Sequence, residues 1–144
     1  MKIIMIFFSV FISSSTCGTH NQNQELVFMV VYKGQTRGSN LEYTIDNTNI
    51  KAITNGFDGK NGEVALQADD KKEIQALIET LALENIKNLT PPSQHSALDR
   101  ALIAQIQITK NGKKYESVNF DHGNPPVELK PLTDKILALI ETVE

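Results

Sequence analysis

Asp121 and His122 are adjacent in the chain, and Gly123 follows them. A carboxylate beside an imidazole has the parts of an oriented general base: the acid holds the ring's tautomer while the ring takes a proton. Such a base needs a nucleophile to act on, and no GxSxG-type motif accompanies it. The same triplet also suits a tight turn, with Asp121 bonding nearby backbone and Gly123 supplying a positive φ. The residues favour the turn, and a small hydrolase using Asp121 and His122 is the alternative. His95, beyond Pro91-Pro92, and His20, near the start, stand alone. None of the three histidines has a HExxH, paired-His or Cys/His spacing, so neither a metal nor a cofactor is expected.

The stretch Gly56 to Gly62 (GFDGKNG) has the glycine content of a phosphate loop but neither its GK[ST] ending nor a following helix. Asp58, Asn61 and Glu63 are oxygen donors without the register of a calcium loop. Asn88-Leu89-Thr90 matches the glycosylation sequon, a short pattern that occurs by chance. Arg37 and the pair Asp99-Arg100 read as exposed charges. With Asp121 and His122 they would form a binding patch only if their loops converge.

Cys17 is the one cysteine in the chain, so an intramolecular disulfide is excluded. Met1 and Lys2 precede a run of ten residues, Ile3 to Ile12, apolar but for Ser9; small polar residues then lead to Cys17. A positive start, a short apolar run and a small-residue end are the parts of a secretory signal peptide. A transmembrane helix would need about 20 apolar residues. The place of Cys17 resembles the lipobox of bacterial lipoproteins, in the looser form of Bacteroidota. It departs from the usual pattern at Ser14 and Thr16. The resemblance covers Met1 to Gly18 and implies acylation of Cys17, with palmitate or a similar chain. Each buried CH₂ contributes about 0.8 kcal/mol, so two or three chains on one residue would hold a protein at a membrane. The expected organisation is a signal peptide over residues 1–16, a polar lipid-anchored tether over 17–25 and one domain over 26–144. The address implied is the bacterial cell envelope, with a periplasmic or secreted soluble form as the alternative.

The whole chain carries −3; without Lys2 it keeps 13 basic against 17 acidic residues. That mild acidity, with no basic run longer than Lys113-Lys114, argues against nucleic acid as a partner. About 120 residues suffice for one core without disulfides.

The elements follow from periodicity. Leu26 to Tyr32 reads as a buried strand, and Lys33 to Asn40, with Gly34 and Gly38, as a loop. Leu41 to Ile45 alternates as a half-buried strand. Asp46 to Asn49 is a turn, Ile50 to Thr54 a third strand, and Val64 to Gln67 a short extended piece. Asp70 and Glu73 have capping-box spacing at a helix start. Ile74, Leu77, Ile78 and Leu81 then form one apolar stripe, and the helix ends near Leu83. Ile86 and Leu89 tuck inward before Pro91-Pro92. Leu102 to Thr109 alternates, Asn111-Gly112 favours a type I′ turn, and Lys113 to Phe120 returns, with Ile108 facing Tyr115. Asp121 to Pro126 turns. Leu129, Leu132, Ile136, Leu139, Ile140 and Val143 mark a last helix, starting near Pro126 with a bend or at Pro131 as a first-turn proline.

Short loops between strands mean antiparallel pairing. The fold expected is α+β: a two-layer sandwich, an antiparallel sheet of about four to five strands with two helices on one face. A domain of this kind without a catalytic constellation works by binding, here as a non-catalytic accessory module for a protein partner. Its size, its β-β-helix-β-β order and its Phe120 to Pro126 segment also resemble emfourin-type inhibitors of metalloproteases. That family's Gly-Gly-Phe-like start is replaced by Lys33-Gly34-Gln35. The resemblance implies protease inhibition as an alternative role.

The lipobox reading makes a direct prediction. Cells fed a labelled fatty acid should transfer label to the wild-type chain and not to Cys17→Ser; equal labelling would refute acylation at Cys17.

Overall fold

The structure, a computed structural model, describes residues 26–56, 59, 61–93 and 102–143. Residues 1–25, Cys17 among them, lie outside these, as do Asp58, His95, Asp99 and Arg100.

Seven strands form one antiparallel sheet: β1 (Phe28–Thr36), β2 (Ser39–Asp46), β3 (Asn49–Asn55), β4 (Gly62–Ala65), β5 (Ile103–Lys110), β6 (Lys113–Glu116) and β7 (Phe120–Asp121). Their order is β4-β3-β2-β1-β5-β6, with β7 paired to β5. Two α-helices, α1 (Ala68–Thr80) and α2 (Lys130–Ile140), and a 3₁₀ segment, Leu83–Asn88, complete the fold. The α+β, antiparallel expectation therefore holds, while the count of four to five strands is corrected to seven and two helices to three.

The extra strand length comes largely from Lys33 to Asn40, expected as a loop. β1 runs through Lys33 and Gly34 to Thr36, and Arg37-Gly38 alone makes the turn into β2. Both neighbours of β1 hydrogen-bond to this stretch, with Gly34 opposite Leu41 and Ala104. Pairing on both sides outweighs the weak strand preference of Gly and Lys. A side chain at Gly34 would press on Leu41, 3.0 Å from where a Cβ would stand.

The turn chemistry read from the sequence is present. Asp46 Oδ1 accepts from the Thr48 amide at 2.7 Å, the Thr48 hydroxyl at 2.8 Å and the Asn49 amide at 2.9 Å. Burial alone would raise the Asp46 carboxyl, but these bonds outweigh it and hold it below the ordinary carboxylate range. Asn111 (φ 49°) and Gly112 (φ 81°) make the left-handed pair of a type I′ turn, and Ile108 faces Tyr115. The return strand, expected unbroken to Phe120, stops at Glu116 and resumes as β7.

α1 starts earlier than the capping-box reading places it. Gln67 occupies the N-cap position without a side-chain bond, and Asp70 sits inside the first turn. Asp70 and Glu73 converge instead on Lys135 of α2, whose ammonium lies 2.8 Å from Asp70 Oδ1 and also contacts Glu73. These hydrogen bonds, Asp70's first, raise the Lys135 pKa above its ordinary value. α1 ends at Thr80 rather than near Leu83. α2 starts at Lys130 with Pro131 in its first turn, which settles the choice left by Pro126 and Pro131.

One core cluster joins a single face of the sheet to the helices: Val30, Tyr32, Ile45, Ile50 and Ile106 from strands, Ile74 and Ile78 from α1, Leu132 and Ile136 from α2. Ile86 of the 3₁₀ segment belongs to it, with Leu89 packed partly against it.

Gly56 and Gly112 separate two costs of the left-handed backbone. A Cβ at Gly112 would meet nothing within 4 Å, whereas at Gly56 (φ 76°) it would lie 2.5 Å from Ser39 Oγ and 2.6 Å from the Gly38 carbonyl. Gly112→Ala should therefore lose about 1–2 kcal/mol in urea denaturation, from the backbone conformation alone. Gly56→Ala should lose clearly more; equal losses would refute the close approach of these two turns.

Candidate functional site

Tyr32 lies midway along β1, in register with Tyr43 of β2 and Ile106 of β5, and is 0% exposed. Its ring stacks on Tyr43 at 6.0 Å, leans on Phe120 at 6.1 Å and meets the His122 ring edge-on at 5.6 Å. A phenol so placed needs a partner for its hydroxyl. The partners come from the turn after β7: the Gly123 amide donates to Tyr32 Oη at 3.2 Å, and Oη lies 2.8 Å from His122 Nδ1.

Burial pushes the Tyr32 hydroxyl up to about 12, against the opposing Gly123 bond, so it stays protonated. The Gly123 amide takes one lone pair of Oη and leaves the tyrosine proton free; a neutral His122 with its own proton on Nε2 offers Nδ1 as the acceptor for it. Burial also lowers the His122 pKa, in agreement with a neutral ring.

Asp121 faces the other way. β7 pairs with β5 so that Phe120 stands opposite Ala104 and Asp121 opposite Ile103, and consecutive side chains of a strand point to opposite faces. The buried Asp121 carboxylate accepts from the Ser93 hydroxyl at 2.5 Å, and the Asn124 amide group donates to Ser93 Oγ at 2.7 Å. The Asn124 backbone amide closes the turn on the Asp121 carbonyl at 2.8 Å, and Gly123 has the expected positive φ of 76°. The turn and its positive φ at Gly123 are thus present, and the Asp121 carboxylate reaches Ser93. The imidazole goes to Tyr32 and the carboxylate to Ser93, so neither orients the other. Nothing local in the sequence singles out Ser93, because its partner lies 28 positions away.

Arg37 lies in the exposed β1–β2 turn. Gln35 and Asp121 both pair with Ile103, so the register brings Arg37, Asp121 and His122 to the same end of the sheet. Asp99 and Arg100 fall outside the described residues. Asn61 holds Thr54, accepting from its amide at 2.7 Å, and among the described residues no group of three His, Cys, Asp or Glu could hold a metal ion.

Two concavities lie elsewhere. One, of about 410 Å³, runs between the 3₁₀ segment and β6 and carries the Lys113–Glu84 pair, whose N and O lie 2.5 Å apart. The other, of about 420 Å³, lies at the C-terminal end of α1 and includes Leu81, Ile86, Leu89 and Glu128. The sheet face opposite the core holds Met29, Lys33, Glu42, Thr44, Lys51, Ile53, Gln105 and Gln107, none of them buried, together with half-buried Ile103 and the buried Val31 and Asp121. Met29 is 41% exposed and Ile53 43%.

Compared with known proteins, the chain matches no family model, no curated protein and no solved structure.

The Tyr32–His122 bond predicts a pH dependence. His122 binds its proton less readily folded than unfolded, so the unfolded state gains protons first as pH falls. Stability should therefore drop as pH falls below about 6.5, the ordinary histidine value. Urea midpoints at pH 7 and 5 for the wild type and His122→Asn check this. The wild type should lose more stability across the interval; parallel losses would refute it.

Proposed function

We propose that this chain is a lipid-anchored protein of a bacterial cell envelope, and that its domain is a non-catalytic module binding a protein partner. In this reading the fold has two layers, with the helices all on one side, and the opposite sheet face is the contact surface.

The observation that supports this most is the exposure of part of that face, at Met29, Lys51 and Ile53. Six strands abreast, about 4.8 Å apart and four to nine residues long at about 3.3 Å each, offer on the order of 600 Å². One side of a stable protein interface covers about 800 Å², so the face with its bordering turns has the required size. Its make-up suits recognition: apolar Met29 and Ile53 stand among the Lys33–Glu42 pair, at 3.3 Å, and the amides of Gln105 and Gln107. The divergence of Asp121 and His122 supports a binding role over the hydrolase alternative.

The junction with the tether supports the anchored arrangement. Asn47 Oδ1 accepts from the Phe28 amide at 2.8 Å while Asn47 Nδ2 donates to the Leu26 carbonyl, also at 2.8 Å. Gln75 of α1 donates to the same carbonyl at 3.0 Å, and the Asn111 amide donates to the Val27 carbonyl at 2.9 Å. Three elements thus grip the chain where the domain begins. With the lipid on Cys17, that end faces the membrane. β1, nine residues and about 30 Å long, then carries the Arg37–Gly38 turn and the His122 turn outward.

Affinity capture tests the reading. The chain from Gly18, tethered by its N-terminus, should retain one reproducible envelope protein, identified by mass spectrometry against bare beads. Met29→Lys with Ile53→Glu should abolish retention, and Val127→Glu, at a position 76% exposed, should leave it intact. Retention unaffected by the face variant would refute the contact surface; a protease among the captures would favour the inhibitor role.

A further inference from the structure

The cleft at the end of α1 has a definite chemical character. Its apolar floor is Leu81, Ala82, Ile86 and Leu89, and its polar rim is Thr80, Asn85 and Glu128. Ile86 is buried, and Leu81 and Leu89 are half-buried. Its volume of about 420 Å³ lies at the small end of ligand sites, which span roughly 300–1,000 Å³.

The one charged side chain lining the cleft among the described residues is an acid, Glu128. α1 ends at Thr80 with no basic residue in its last turn, so no cation offsets the negative end of its dipole there; the Thr80 hydroxyl donates to the Leu77 carbonyl and the Leu81 amide to the Ile78 carbonyl. Glu128 joins no ion pair among the described residues. No lysine, arginine or histidine lines the cleft. The acids nearby that do have partners spend them elsewhere, as Glu84 does on Lys113 across the neighbouring groove. An anion would meet repulsion here, and a bare inorganic cation would leave the apolar floor unused.

We propose that this cleft binds a small organic cation: an ammonium group on an aliphatic body of about six carbons. The body lies on Leu81, Ile86 and Leu89, and the ammonium sits between Glu128 and the last carbonyls of α1. Each buried methylene adds about 0.8 kcal/mol of attraction. The carboxylate and the helix terminus select the sign of the head group. The site is separate from the sheet face proposed above, so either can fail without the other.

The test is an amide-shift NMR titration of the chain from Gly18, which keeps every core residue, as all of them lie between Phe28 and Val143. The probes are hexylammonium, hexanoate and hexanol. Hexylammonium should shift Leu81, Ala82, Ile86 and Leu89 and bind at least tenfold more tightly than hexanoate, with hexanol between. Glu128→Gln, an exposed position that leaves the core intact, should erase most of the preference for hexylammonium over hexanol. Equal binding of hexylammonium and hexanoate would overturn the proposal. So would shifts centred away from the cleft, or a Glu128→Gln variant with unchanged selectivity.

Discussion

Tyr32 occupies the middle of the middle strand, and its hydroxyl has no path to water. A buried hydroxyl left without a partner costs about 1–3 kcal/mol, a sizeable share of the stability of a domain this small. The chain meets that demand with the His122–Gly123 turn, 90 positions away in sequence. Much of the second half is arranged around this contact. For His122 to reach Tyr32, β7 must pair with the first residues of β5, which puts Phe120 inward against the Tyr32 ring and Asp121 outward. Asp121 is then a buried carboxylate on the far face, and it draws in Ser93. The residues that look most chemical in the sequence are those that close the sheet.

This also explains which parts of the fold can be read from the sequence. The β5–β6 hairpin and the Asp46 turn are local: strict alternation and turn residues with specific dihedral or hydrogen-bonding abilities sit within a few positions of each other. Lys33 to Thr36 is strand because β2 and β5 bond it from both sides, and neither bond is written in Lys-Gly-Gln-Thr. Asp70 and Glu73 show a subtler failure. Capping-box spacing is also the i, i+3 spacing that sets two acids on one helix face. Here the second meaning applies, and Lys135, which decides between them, lies more than sixty positions downstream. The candidate site fails in the same way. Adjacency of Asp121 and His122 suggests cooperation, but Asp121 ends β7 on the face away from Tyr32, while His122 begins the turn that reaches Tyr32.

The two ends of the sheet are built differently. At the end where β1 begins, side-chain amides of Asn47, Gln75 and Asn111 bond the backbone of Leu26 to Phe28. Amides are well matched to backbone because they satisfy donors and acceptors together and carry no charge to desolvate. At the other end, Ser39 Oγ donates to the Gly56 carbonyl at 2.9 Å, tying the β1–β2 turn to the chain leaving β3. The first end fixes how the chain joins its N-terminal segment, while the second gathers the Arg37, Gly56 and His122 turns.

An open sheet exposes edges as well as a face, and the edges bear on how a partner would dock. A partner adding a strand needs a long, flat row of free backbone groups. β4 and β6 each have only four residues. β6 carries Lys113, Lys114 and Glu116, with the Lys114–Glu116 pair at 2.8 Å, and the residues beyond it turn to the 3₁₀ segment, where the Val118 amide donates to the Ile86 carbonyl. Short length, charge and an early exit are the devices by which proteins discourage strand addition. Much of the broad face is open. Its exposed apolar side chains, Met29 and Ile53, stand on different strands with charged and polar neighbours between them, a spacing that limits indiscriminate sticking while leaving anchors for a shaped surface. In the proposed binding role, recognition would therefore run through side chains on the face rather than through backbone at the edge.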